Sequence, residues 1–581
     1  MDSQSDVIKS LPSHLQPFVA RQDYDKYTPR DHAIWRFLLQ QLKFSLKDSA
    51  HPTYFGGLKR TGIGIEAIPR IEDINACLNK LGWQAVAVDG FLPPAVFMEF
   101  QARKVLAIAL NIRSFEHMLY TPAPDIIHES AGHAPFLVDI DYAEFLQRFG
   151  ELGMRAIANQ HDMDIYEAVR QLSIVKESTE STKAQIDAAQ GLVETLQEKP
   201  VAPSEANLLA RLHWWTVEYG LVGDVTDYTI YGAGLLSSLS ESTSCFDDSN
   251  VKKLPLTLNA VQTSYDITAP QPQLFVTESC RHLSQVLEEY GRHMCCQRGG
   301  PSALQEALQA KSINTVTYNS GLQIAGRISR IISDAVGNAI YINTDGPTQL
   351  AYANSELSGH GTDYHAPGFG SPIGRLRAIE RCLSSYTIDE LKRHQIEVGQ
   401  QVTLYFLSGI KVTGDLIQIT RREQKNILFS FENCTVVNIE GDLLFEPSWG
   451  TYDMAIGDSI ISVAGGSADQ GAFPMYESPS QQVTVEQEYD SKISVQFKHY
   501  QSLRALRETK NETKSNDADQ LITMVCKDET LDWLLYFEAL ELALTSGSEQ
   551  QTIKKLVSIL KTETGNNQAL ISAGLARLGL S

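Results

Sequence analysis

Positive charge is scarce in this chain: 49 lysines and arginines against 70 aspartates and glutamates leave a formal net charge of −21 at pH 7. Nucleic acid and anionic membrane both require a concentrated positive surface, so neither is expected as a partner. Long apolar runs are missing as well. No segment offers about 18 uninterrupted apolar residues, and the opening MDSQSDVIKSLPSHLQPF has no basic region followed by an apolar core, so a cytoplasmic protein without membrane contact is expected. Eight cysteines in 581 residues form no Cys-x-x-Cys pair. They read as free thiols of a reducing compartment, the adjacent Cys295 and Cys296 included, because vicinal cysteines bridge only with strain.

What the chain does have is enough apolar content, 43% of residues, for roughly two to four domains with full cores. Up to about residue 300 apolar residues recur at helical spacing, in 30–46, 71–82, 141–158 and 205–221, so this part is expected to be mainly α. Residues 160–203 are polar and read as an inserted helical hairpin lying on the surface. After RGGPSALQ the pattern changes: NTVTYN, RIISDAVGNAIYINT, QQVTLYFLSGIKVTGDLIQIT and ILFSFENCTVVNI alternate β-branched or aromatic residues with polar ones. The last hundred residues return to helix. The expected fold class is therefore multi-domain α+β: a mainly α unit with short strands, a β-rich module, then C-terminal helices. Within the β-rich module a glycine-rich string, SELSGHGTDYHAPGFGSPIG, carries His360, Asp363 and His365; it reads as a connecting loop and receives no function.

One stretch concentrates chemistry. PDIIHESAGHAPF, residues 124–136, sets Asp125, His128, Glu129 and His133 close together. A zinc-protease His-Glu-x-x-His motif has its histidines four apart, on one helical face. Here they are five apart, which on a regular helix separates them by roughly 140°. Two geometries bring them together. Either Gly132 and Pro135 end the helix so that His133 sits where it has relaxed, or a local π-type distortion closes the gap. Two neutral imidazoles plus one carboxylate make the facial set of non-haem Fe(II) oxygenases. Glu218, in the aromatic segment HWWTVEYGL, is a candidate third donor, since a lone carboxylate there is costly unless it binds a cation or points to solvent. Trp214, four residues earlier, shares its face.

TPAPDIIHESAGHAPF, WTVEYG and YGAGLLSS, in that order, closely resemble signatures of the pterin-dependent aromatic amino acid hydroxylases, and the likeness extends over about residues 15–300. The resemblance implies an oxidoreductase that uses Fe(2+), O2 and tetrahydrobiopterin or a related reduced pterin to hydroxylate the ring of an aromatic amino acid. It implies His128, His133 and Glu218 as iron ligands and Arg113 as the partner of the substrate carboxylate. Thr121, Pro124, Trp214, Gly234 and Ser237 would line the amino acid pocket. Gly90, Leu92 and Phe97 would hold the pterin, Glu129 would face its reacting edge, and Asp125 and Ser237 would steady the histidines. Three positions depart from the family pattern: Pro94 in the pterin loop, His213 beside Trp214, and Ala107.

Phenylalanine is the expected substrate, because a chain with no room before residue 15 for the regulatory domain of animal members resembles the bacterial ones; tryptophan or tyrosine hydroxylation is the alternative within the family. A zinc peptidase with Glu129 as base, and a non-catalytic scaffold, are the readings of other classes. The expected division is 15–300 hydroxylase-like with the insertion at 160–203, 310–480 β-rich, and 481–581 helical, with homo-oligomerisation through the C-terminal region.

Overall fold

Thr28 and Asp31 cap each other's backbone N–H groups around Pro29, and this capping box opens the helix Pro29–Ser45. The helix presents Ile34, Trp35, Phe37, Leu38 and Leu42 to the largest hydrophobic core of the chain. The computed structural model describes residues 3–90, 92–119, 125–177, 181–266, 270–476, 491–508, 514–528 and 530–580. Its architecture is α+β. The N-terminal half is mainly helical, with a parallel pair (Gln84–Val88 beside Val105–Ala109) and a four-stranded sheet in the order Asp227–Ile230, Leu221–Asp224, Gln273–Thr277, Lys252–Pro255. Among the described residues no helix is long and apolar enough to cross a membrane.

Two helical expectations change at their ends. The helix expected over 141–158 is Ile140–Gly153, opened by Asp139, whose side chain accepts the N–H of Tyr142. The helix expected over 205–221 is regular only through Glu205–His213; from Trp214 to Glu218 it becomes a π-helix. Residues 160–197 form two helices, Gln160–Glu177 and Lys183–Gln197, which bury Ala168, Val193 and Leu196 between them.

After the helix Gly300–Ala310 come two antiparallel sheets. The first runs Ser355–Glu356, Ala339–Tyr352, Leu322–Ser333, Ile313–Tyr318, Ile460–Gly465, with Gly370–Pro372 also on Ala339–Tyr352. The second runs Gln401–Tyr405, Lys411–Arg422, Lys425–Val437, Leu443–Phe445, with Tyr452–Ala455 also on Lys425–Val437. Two clusters of buried residues underlie the sheets, and they interlock: Ile427, Leu428 and Ala455 of the second sheet pack with the first, and Tyr341 of the first packs with the second.

The C-terminal helices then return to the N-terminal half. Trp533–Ser546 is buried on all sides from Trp533 to Ala543, and its rings meet Phe37 edge-on, Trp533 at 5.2 Å and Phe537 at 5.0 Å between centroids. The two glutamates that this helix buries are paired: Glu538 with Arg36 (2.9 Å) and Arg507, Glu541 with Arg36 and Arg577, while Glu66 takes Arg36 Nε at 2.7 Å. The buried Glu538 and Glu541 are thus neutralised by three guanidinium groups, with the exposed Glu66 pairing Arg36 from the solvent side, which is what buried charges require. The apolar surface of this helix is covered by the chain itself. All eight cysteines are free, and Cys295 and Cys296 are both buried.

Candidate functional site

Asp125 opens the segment that holds both histidines. Its Oδ1 accepts the backbone N–H of His128 at 3.0 Å, as an N-cap does. The same carboxylate accepts Arg113 through Nε (2.8 Å) and Nη2 (2.9 Å), and the Arg113 backbone N–H adds a third bond at 3.0 Å. Burial raises the Asp125 carboxyl, but Arg113 and the two backbone N–H groups outweigh it and hold the group below the usual carboxylate range.

From there the chain runs as a π-helix, Ile127–His133, and passes directly into a 3-10 helix, Ala134–Val138. Of the two geometries open in the sequence, the structure has the π distortion: Gly132 lies inside the π-turn rather than ending the helix, and the distortion brings the histidines together. In a turn whose hydrogen bonds run from residue i to i+5, residues five apart stack on one face. Gly132 serves close approach instead, since a Cβ there would stand 2.8 Å from the carbonyl oxygen of Ala233. The second π-helix, Trp214–Glu218, supplies the carboxylate.

His128 Nε2, His133 Nε2 and the Glu218 carboxylate converge. The two nitrogens are 3.1 Å apart, Oε2 of Glu218 lies 3.2 Å from His128 and Oε1 lies 3.3 Å from His133. Ligands about 2.0–2.2 Å from one ion stand about 3.0–3.4 Å from each other, so the three donors are spaced for a common metal. Burial raises the Glu218 carboxyl, yet His133 and His128 hold it well below its ordinary value. His128 Nδ1 meets Ser237 Oγ at 3.0 Å, and that hydroxyl donates its proton to the Ala233 carbonyl at 2.8 Å. Ser237 therefore accepts from Nδ1–H, which assigns the proton to Nδ1 and leaves the Nε2 lone pair facing the cluster.

Buried polar atoms without partners gather around these residues: Oε2 of Glu129, Nε2 of His213 and Nε1 of Trp214. Each such atom costs about 1–3 kcal/mol, and their grouping on one cluster fits a site shaped to hold further polar groups. Glu129 Oε2 is 4.0 Å from His133 Nε2. Burial, opposed by His133 and reinforced by Glu218 and Asp125, pushes the Glu129 carboxyl up to about 8.

Of the remaining residues singled out in the sequence, Trp214 and Gly234 flank Glu218. Trp214 stacks on Tyr265 (4.4 Å, 10°) and Tyr219 (4.6 Å, 26°). Gly234 lies against Glu218 and Tyr219, where a Cβ would meet the Tyr219 ring at 2.9 Å and the Glu218 carbonyl at 3.0 Å. Gly90 has φ +71° in the turn between strand Gln84–Val88 and helix Pro94–Ala102. Leu92 and Phe97 are half-buried in the small core beneath that turn. Thr121 and Pro124 lie outside the described residues.

Two contributors escaped the sequence reading. His213 was noted only as a departure from a family pattern. It stands 3.8 Å from Glu218 through Nδ1, with its ring edge-on to Phe97 (6.0 Å) and Phe149 (5.2 Å). Burial, against the pull of Glu218, lowers it to about 4, so the ring is neutral at pH 7. Tyr265, the closest stacking partner of Trp214, sits in a connecting segment with no periodicity to mark it.

Residues 21–184 and 196–299 match a family model described as biopterin-dependent aromatic amino acid hydroxylase. The break, residues 185–195, falls within helix Lys183–Gln197, so the match covers helix Gln160–Glu177. A phenylalanine-4-hydroxylase of Caulobacter vibrioides is 30% identical over 273 residues, 46% of this chain and 78% of that protein. One from Pseudomonas aeruginosa is 28% identical over 277 residues, 47% of this chain and 88% of that protein. A crystal structure of Chromobacterium violaceum phenylalanine hydroxylase with iron(III) and 7,8-dihydrobiopterin aligns with 50% of this chain and 92% of its own at 26% identity and a TM-score of 0.39. The residues beyond 299 lie outside the family match. Both π-helices and Arg113 lie inside it, and the chain belongs to the biopterin-dependent aromatic amino acid hydroxylases, a family of oxidoreductase enzymes.

Proposed function

We propose that this protein is an iron- and tetrahydropterin-dependent monooxygenase that converts L-phenylalanine to L-tyrosine. The observation that carries the reading is the mutual 3.1–3.3 Å spacing of His128, His133 and Glu218, two imidazoles and one carboxylate turned toward one point. Fe(II) on these three residues, with a reduced pterin beside it, would supply the activation of O2.

The chain's own residues do the rest. Ser237 fixes the His128 tautomer through Nδ1, and Asp125 fixes the position of the same histidine through its backbone N–H. Asp125 takes Nε and Nη2 of Arg113, which leaves Nη1 as the free edge of the fork for the substrate carboxylate. Trp214 and Gly234, which flank Glu218, bound the amino acid side of the site. Phe97 offers a ring to stack the pterin, and Gly90 and Leu92 offer backbone groups to its polar edge. Glu129, raised to about 8 by burial, holds a proton at its carboxyl at neutral pH and can donate it toward the pterin. Phenylalanine is favoured over tyrosine or tryptophan because the relatives named above carry the phenylalanine activity.

The test is anaerobic loading with Fe(II) followed by O2, tetrahydropterin and each aromatic amino acid in turn, with products identified by mass. Tyrosine from phenylalanine, dependent on the pterin, is the expected result. Product from tyrosine or tryptophan instead would correct the substrate, and pterin-dependent product from none of the three would overturn the reading.

A further inference from the structure

The β-rich half contains a second cluster of metal-binding side chains, built on elements that the first site does not use. His360 and His365 lie in the glycine-rich loop between strands Ser355–Glu356 and Gly370–Pro372 of the first sheet. The loop is pinned at both histidines. The His360 backbone donates to the Leu357 carbonyl at 2.9 Å and accepts from Leu350 at 2.9 Å, while His365 donates to Gly361 at 3.1 Å and accepts from Thr348 at 3.2 Å. The third residue, Asp453, comes from strand Tyr452–Ala455 of the second sheet.

The donor atoms face one another. His360 Nδ1 is 3.3 Å from His365 Nε2 and 3.8 Å from Asp453 Oδ2, and all three lie within 4.8 Å. Asp453 is 5% exposed, and its two oxygens are treated differently. Oδ1 accepts the Ser430 hydroxyl at 2.5 Å, whereas Oδ2, the atom turned toward the histidines, has no hydrogen-bond partner. The Tyr364 hydroxyl also lies beside this carboxylate and offsets part of its burial. A buried carboxylate oxygen left bare beside two imidazoles is costly unless a cation completes it. An ion about 2.0–2.1 Å from each donor would draw them to edges of about 3.0–3.4 Å, a small inward movement for a loop side chain.

We propose that His360 Nδ1, His365 Nε2 and Asp453 Oδ2 form a second binding site for a divalent transition-metal ion, which ties the loop of one sheet to a strand of the other. The Ser430 hydroxyl orients the carboxylate from behind, as outer-shell groups do at such sites. The ion is of the zinc, cobalt or iron class, because two imidazoles and one carboxylate suit borderline cations rather than calcium or magnesium.

The test uses the full chain, stripped with chelator, reloaded with Zn2+ or Co2+ and desalted. Metal is then counted by mass spectrometry. The intact chain is expected to retain about two equivalents, and Glu218→Gln about one. Adding His360→Asn or Asp453→Asn to Glu218→Gln should remove the remaining ion, with loss of the visible Co2+ absorption. Zn2+ should raise the melting temperature of Glu218→Gln and leave that of the double variant unmoved. Retention of the ion in both double variants, or no tight ion in Glu218→Gln, would overturn the proposal. His360 is partly exposed on a loop, so His360→Asn decides the matter if Asp453→Asn fails to fold.

Discussion

Ser237 accepts the Nδ1 proton of His128 at 3.0 Å while giving its own to the carbonyl of Ala233 at 2.8 Å. One hydroxyl thereby orients an imidazole that touches the centre of the site from a helix more than a hundred residues away in sequence. Removing it frees the His128 ring to turn and to change tautomer. Ser237→Ala is expected to weaken Fe(II) retention about 10–100-fold with little change in melting temperature. Anaerobic Fe(II) titration decides this, and an unchanged dissociation constant would refute the orienting role.

Arg113 and Asp125 predict a coupled loss. Because both carboxylate oxygens are spent on the arginine and on the His128 and Arg113 backbone N–H groups, Arg113→Ala strands a buried charge as well as removing a substrate anchor. Its stability in urea should fall by about 3–5 kcal/mol and its phenylalanine KM should rise. Arg113→Lys keeps the charge and loses the fork, so it should recover part of the stability and little of the KM. A raised KM with undiminished stability in Arg113→Ala would show that Asp125 does not depend on this partner.

The close approach of Gly132 to Ala233 makes a third prediction. A methyl group at Gly132 would lie 2.8 Å from the Ala233 carbonyl oxygen and 3.0 Å from its Cβ, and neither backbone can yield cheaply. Gly132→Ala should cost about 1–3 kcal/mol and displace Ser237 from His128. Thermal unfolding and Fe(II) titration of the same variant should both respond. Ala233→Gly in that background relieves only the Cβ contact and is expected to restore little, because the carbonyl remains.

What could be read from the sequence, and what could not, divides by range. Thr28-Pro29-Arg30-Asp31 announces a helix start within four residues, and the run around Asp334 and Asn338 announces a hairpin turn, because capping and turn chemistry are local. His128, His133 and Glu218 were legible as candidate donors from ligand chemistry alone. The π geometry that unites them was one of two open possibilities, since a five-residue spacing fixes the need and not the solution. Asp453 gave no signal: nothing near it in sequence marks it as the neighbour of His360 and His365, which only the packing of two sheets brings together. Likewise WLLYFEALELALTS declares a helix buried on all sides but not the surfaces that bury it, which are the C-terminal helices Ser491–Glu508, Lys514–Val525 and Gln550–Lys561 together with helix Pro29–Ser45.

That docking predicts an acid-sensitive junction. Burial raises the Glu541 carboxyl, but Arg36 and Arg577 outweigh burial and lower it below its ordinary value. A carboxyl lowered in the folded state adds stability at pH above its unfolded value of about 4.3, and that stability drains away as pH falls through the folded value. Asp532 in the same region is raised by burial and titrates in the opposite sense, so the whole-protein curve mixes the two. The difference between the chain and Glu541→Gln isolates the one group. At pH 7 the variant should be about 3–5 kcal/mol less stable, because two buried guanidinium groups lose a counter-charge. As pH drops from about 5 to about 3 the gap should narrow, measured by urea unfolding at each pH. A gap that stays constant across that range would mean that Glu541 holds the C-terminal helices through shape rather than charge.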